Sequence, residues 1–162
     1  MKTLVVYYSR TGTTRKVAEY IAQSLNADQE QLRERTDRRG LWGIIKGGRD
    51  ALLRRPSVLL PVEHDPSAYD LVIVGSPVWA GTLSPAARAY LAQSAAAIQR
   101  GAFFCTHGGG GASRSYSETE HLLGKPAAAT VSLRDRTVKR GETASALQTF
   151  LDALKGLDTQ TA

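Results

Sequence analysis

The sequence predicts an α/β fold in three layers, a parallel sheet with helices on both faces, as one domain over residues 1–162. Two observations predict it. Apolar runs of strand length alternate with stretches at helical spacing, repeatedly and in the same order. The runs at 4–8, 71–74 and 102–105 are continuously apolar, as strands are when both faces are covered. With 42% hydrophobic residues, the chain has material for one well-buried core.

Leu4 to Tyr8 is the first strand, and a loop of hydroxyls around one glycine follows it. Val17, Tyr20, Ile21, Ser24 and Leu25 then share one face of a helix. Asp28 to Thr36 is polar and short, which suits a strand near the sheet edge. Leu41, Ile44, Ile45, Gly48, Ala51 and Leu52 recur at helical spacing, so a helix is expected from about Trp42 to Arg54, weakened by Gly47 and Gly48. Pro56 and Pro61 bracket a connection, and His64-Asp65-Pro66-Ser67 is turn chemistry.

Tyr69 to Gly75 reads as a buried strand, and Ser76 to Leu83 as a loop. Ser84-Pro85 opens a helix, serine as cap and proline in the first turn, that carries Ala86, Ala87, Tyr90, Leu91 and Ile98. Ala102 to Thr106 is the next strand, running into His107 and four glycines, Gly108 to Gly111. A polar helix over 113–123 and a strand over 126–133 follow. Glu142 to Leu157 is the last helix, with Ala146, Leu147, Phe150, Leu151 and Leu154 inward and Gly156 as its stop.

The loop at 9–14 carries the most specific chemistry. Ser9, Thr11, Thr13 and Thr14 supply hydroxyls, and Gly12 keeps a Cβ away from any ligand. The helix behind it presents roughly half a positive charge at its N-terminus, which suits a phosphate. A plain helix cap would explain Thr13 or Thr14 alone, but not four hydroxyls and a glycine together. The loop has neither the Gly-Lys-Ser/Thr ending of a P-loop nor the three-glycine dinucleotide fingerprint.

Other features narrow the class. One cysteine, Cys105, permits no internal disulfide and suits a reducing compartment. With no leader pattern and no apolar run near the ~20 residues of a membrane helix, a cytoplasmic location without membrane insertion is expected. His64, His107 and His121 lack metal-ligand spacing, so no metal site is expected. Of the net charge of +6, a surplus of five lies between Arg33 and Arg55. The plain account of that segment is a solvated helix face; the other is attraction of an acidic partner, a phosphorylated cofactor or nucleic acid. Trp42 is its only aromatic residue, which disfavours nucleic-acid binding by base stacking.

Tyr-Ser-Arg-Thr-Gly-Thr-Thr at 8–14, Gly-Ser-Pro-Val-Trp-Ala-Gly at 75–81 and the glycine run at 108–111 together resemble the three cofactor loops of the flavodoxin family. The resemblance extends by element order over nearly the whole chain. It implies a five-stranded parallel sheet in the order 2-1-3-4-5, with ligand beyond the carboxyl ends of the strands. It implies FMN as cofactor. Ser9, Arg10, Thr11, Gly12, Thr13 and Thr14 would bind its phosphate. Pro77, Val78, Trp79, Ala80 and Gly81 would border the ring, and His107, Gly108, Gly109 and Gly110 would form the other wall. No residue of the chain itself is expected to be catalytic. The chain departs from many flavodoxins in being basic, and in offering no aromatic residue in the third loop; Tyr116 is the substitute within reach.

The leading expectation is an FMN-binding protein that passes electrons to or from a redox protein partner. The alternative is an NAD(P)H-dependent quinone or flavin reductase, with a small-molecule electron acceptor. A third reading keeps the fold as a binding module without redox work. Oligomeric state does not follow from the sequence.

Overall fold

The computed structural model describes residues 1–35, 45, 49, 53 and 57–159. Its elements are β1 (Thr3–Tyr7), α1 (Thr13–Leu25), β2 (Asp28–Gln31), β3 (Leu71–Trp79), β4 (Thr82–Leu83), α2 (Pro85–Ser94), β5 (Gly101–His107), α3 (Ala112–Leu123), β6 (Thr130–Arg134), α4 (Asp135–Arg140) and α5 (Ala144–Thr159). Five strands are parallel in the order β2-β1-β3-β5-β6, and β4 pairs antiparallel with β3. Leaving β4 aside, this is the 2-1-3-4-5 order expected.

Neighbouring residues of the continuous apolar runs go to opposite cores, as the period of two dictates. Val5, Ile73 and Phe104 meet Val17 and Ile21 of α1 and Leu147, Phe150 and Leu154 of α5. Val6, Val72 and Phe103 meet Ala87, Tyr90 and Leu91 of α2 and Leu123 of α3. The sheet is thus covered on both faces. Ser84 caps α2 as expected, its Oγ accepting from the Ala87 amide at 3.4 Å with Pro85 following. At the edge, Glu30 Oε2 accepts from the amides of Glu63 and His64 and holds the returning chain against β2.

Four expectations need correction. Tyr20 is 42% exposed, because α1 buries Thr14, Val17, Ala18, Ile21 and Ala22, a stripe that leaves position 20 outside. The 76–83 segment is a hairpin more than a loop: β3 continues through Trp79, Ala80 and Gly81 make the turn, and β4 returns. The strand expected over 126–133 is confined to Thr130–Arg134, and a short helix, α4, ended by Gly141 in the left-handed conformation, lies between it and the last helix. Gly156 lies inside α5, which runs to Thr159, so one glycine does not stop it. The helix expected over 42–54 falls mostly outside the described residues; within it, Ile45 and Arg49 are helical.

Gly75 sits at the centre of the sheet. A Cβ built there would lie 2.1 Å from Cζ of Phe104, whose ring is fully buried. The ring has no room to move in a close-packed core. Gly75→Ala is therefore expected to destabilise by about 1–3 kcal/mol, read as a lower urea midpoint. Adding Phe104→Leu should recover part of the loss.

Candidate functional site

The carboxyl ends of β1, β3 and β5 lie side by side, so the loops that follow them share one edge. The first loop is held from within: Ser9 Oγ accepts the Gly12 amide at 3.2 Å. Gly12 is the N-cap of α1 and has no side chain to accept from the first-turn amides. Neither Thr13 nor Thr14 is the cap, so the first-turn amides keep their capacity for an anion. Thr14 is buried and hydrogen-bonded, Oγ1 to Oγ1, with Thr106 of β5 at 2.8 Å. That bond locks the start of α1 to the end of β5.

A cavity of about 200 Å³ opens beside this loop. Arg10, Thr11, Thr13, Thr14, Pro77, Val78, Trp79, Thr106 and Asp135 line it. Seven of those nine were expected at the site; Thr106 and Asp135 were not. Asp135 places a carboxylate on the rim of a cavity that is otherwise rich in donors. Trp79 lies half-buried at the end of β3. Its ring meets Tyr8 edge-on at 5.6 Å, and the Arg10 guanidinium stands over it at 5.6 Å. Such a cation–π contact contributes only about 0.5–1 kcal/mol when solvent is near. A ligand can displace it.

The second and third loops touch through their glycines. Ala80 (φ 48°) and Gly81 (φ 74°) both have positive φ, as a two-residue hairpin turn of this hand requires. Gly111, at φ 88°, lies against that turn. A Cβ on it would fall 2.6 Å from Cα of Gly81 and 2.8 Å from Cγ1 of Val78. Gly108, Gly109 and Gly110 instead stand free, with open space where a Cβ would be. They rise from the site edge without lining the cavity, as do Ala80, Gly81 and His107. Gly111 was not among the expected site residues; its place as the cap of α3 shows only in three dimensions.

The hairpin is anchored from behind by a buried ion pair. Arg88 Nε donates to Glu118 Oε1 at 2.6 Å, with both side chains under 10% exposed. Glu118 Oε2 accepts the Leu83 amide, and Arg88 Nη2 donates to the Leu83 carbonyl and to Thr82 Oγ1. Thus α2 and α3 together grip β4, which pairs across the turn with Val78 and Trp79 of β3.

Tyr116 is not a second wall. Its ring meets Phe103 edge-on at 5.6 Å inside the α2–α3 core. Its hydroxyl lies 4.0 Å from Cys105 Sγ. Cys105 is fully buried, and burial pushes its thiol up to about 12. Cys105 is therefore a small apolar residue of the core. Iodoacetamide at pH 8 is expected to leave Cys105 unmodified in the folded protein and to alkylate it in urea, checked by intact mass.

Two buried nitrogens at the edge lack partners among the described residues, Arg10 Nε and His107 Nδ1. Buried polar atoms left this way are costly, about 1–3 kcal/mol each. A larger cavity, about 320 Å³, runs along β2 under residues 60–63, but its Glu30 carboxylate is already engaged and no glycine loop enters it.

No protein-family model and no curated protein matches the chain. Solved structures do. A flavoprotein from Lactobacillus acidophilus NCFM in complex with FMN superposes with a TM-score of 0.70 at 24% identity, over 86% of this chain and 97% of that one. The apo-form of the flavoprotein from the same organism gives 0.58 at 26% identity, over 83% and 91%. A flavodoxin from the domain Archaea gives 0.58 at 17% identity, over 98% and 99%. The chain has the flavodoxin-like fold. Among the described residues no helix is long and apolar enough to cross a membrane.

Proposed function

We propose that this chain binds FMN at the shared loop edge and exchanges electrons with a protein partner. The observation that carries the reading is the pair of partnerless buried nitrogens, Arg10 Nε and His107 Nδ1, at the first and third of three converging loops. Arg10 lines the cavity, and His107 ends β5 at the same edge. The residues fit the cofactor in other respects. Thr11, Thr13, Arg10 and the first-turn amides of α1 would hold the phosphate. Pro77, Val78 and Trp79 present an apolar and aromatic border to a flat ring. Ser9 and Thr14 act at one remove, holding the loop and the helix start. The cavity is smaller than the roughly 300–1,000 Å³ of most small-molecule pockets, so it suits part of the cofactor. The FMN complex among the similar structures supports the choice of cofactor.

Bound FMN would supply the electron chemistry, while the chain supplies binding and orientation. Reconstitution tests this. One FMN per chain and quenched Trp79 fluorescence are expected; no bound flavin and unchanged fluorescence would sink the reading. Arg10→Ala should weaken FMN binding by about tenfold, a charge-assisted hydrogen bond's worth, and riboflavin binding much less.

A second reading, direct reduction by NADH or NADPH, is favoured by the open ground over Gly108 to Gly110. Rapid anaerobic bleaching of the FMN-loaded protein by either nucleotide, without added reductase, would select it.

A further inference from the structure

The charge of this chain is sorted by sheet edge. At the carboxyl edge stand Arg10, Arg33, Arg35, Arg114, Arg134 and Arg136. Among the described residues, Glu34, which accepts from the Tyr8 hydroxyl at 2.9 Å, and Asp135 on the cavity rim stand between them. All of the arginines but Arg10 are exposed. None is ion-paired within the described residues. At the opposite edge Lys2, Arg100 and Lys125 are balanced by Asp28, Asp65 and Asp70. Among the described residues, unpaired positive charge therefore gathers at the edge that carries the candidate site.

We infer that this edge docks an acidic face of the electron-exchange partner, a protein carrying carboxylates around its own redox centre. The inference rests on the FMN reading and names the chemistry of its partner. Breadth argues for a protein over a small anion. From Arg33 beyond β2 to Arg134 at the end of β6 there are four strand spacings, roughly 19 Å at about 4.8 Å each. One or two phosphates reach a fraction of that span, while a protein face of about 800 Å² covers it. Fields of this kind raise encounter rates roughly 10- to 1,000-fold and lose their effect with salt.

The test uses FMN-loaded protein, photoreduced anaerobically, and two forms of one acceptor: native cytochrome c, which is cationic, and cytochrome c with succinylated lysines, which is anionic. Each ferric haem takes one electron, so a fully reduced flavin reduces two haems. At low salt the succinylated form is expected to be reduced about tenfold faster or more. The advantage should collapse towards one near 1 M salt, where screening acts within about 3 Å. Arg114→Gln with Arg134→Gln and Arg136→Gln should remove most of it while leaving FMN load unchanged. Equal rates, or faster reduction of the native form, at full FMN load overturn this inference and leave the cofactor reading standing. Equal rates together with salt-sensitive binding to duplex DNA overturn it in favour of nucleic acid. A chain that takes up no FMN overturns both.

Discussion

Replacing Glu118 by alanine is expected to cost about 3–5 kcal/mol of stability, because it strands the Arg88 guanidinium in the core. Arg88 is 5% exposed, and its Nη1 already lacks a partner among the described residues. Loss of Glu118 also leaves the Leu83 amide without its acceptor. The apolar pair Arg88→Met with Glu118→Leu should be far less damaged than either single truncation, since no charge is then left buried. It should still fall short of wild type by the unpaired Leu83 amide, about 1–3 kcal/mol. Urea midpoints at constant slope measure all of this. A loss under 1 kcal/mol in Glu118→Ala would mean that the pair is solvated and does not hold the hairpin.

Gly111→Ala is expected to be nearly as severe. A left-handed backbone costs a non-glycine residue about 1–3 kcal/mol, and overpacking adds about 1–3 more. The obstacle is the backbone of Gly81, which no rotamer change can clear. Relief must come from moving the hairpin or the cap of α3. FMN affinity should therefore fall with stability. Gly109→Ala is the contrast: open space surrounds that position, and its urea midpoint should move by a few tenths of a kcal/mol at most. Equal effects at the two glycines would show that the loops do not meet through Gly111.

These two sites also show what the sequence withheld. The buried strands were legible because both faces are covered, so Leu71-Val72-Ile73-Val74 and Ala102-Phe103-Phe104-Cys105 needed no phase to be read. The first loop was legible because its chemistry is contiguous. Arg88 and Glu118 are separated by 30 positions, and they pair only because α2 and α3 pack side by side. Arg88 did carry one signal, a charge set among Ala86, Ala87, Ala89, Tyr90 and Leu91 with no polar face beside it. Glu118, in a polar helix, carried none. The hairpin was hidden by Pro77, which argues against a strand, and by Ala80, which stands where Asn or Asp would announce the turn. Pro77 is tolerated near the end of β3, opposite Thr106 of β5. Thr106 and Asp135 joined the cavity through tertiary placement alone.

The two-sided core has a consequence for the order of events in synthesis. β1 finds β2 early, but its other neighbour is β3, with Thr3 opposite Leu71. The inner face of α1, Val17 and Ile21, shares its core with Leu147, Phe150 and Leu154. Those partners leave the ribosome more than a hundred residues after α1 does. Until then the first strand–helix unit carries uncovered apolar surface, the condition in which nascent chains associate wrongly. Closing so long a loop is slow and brings no reward until it is complete. Folding is therefore expected to be a late, collective event, completed when α5 arrives, in which the first motif of the chain to be made is among the last to become stable.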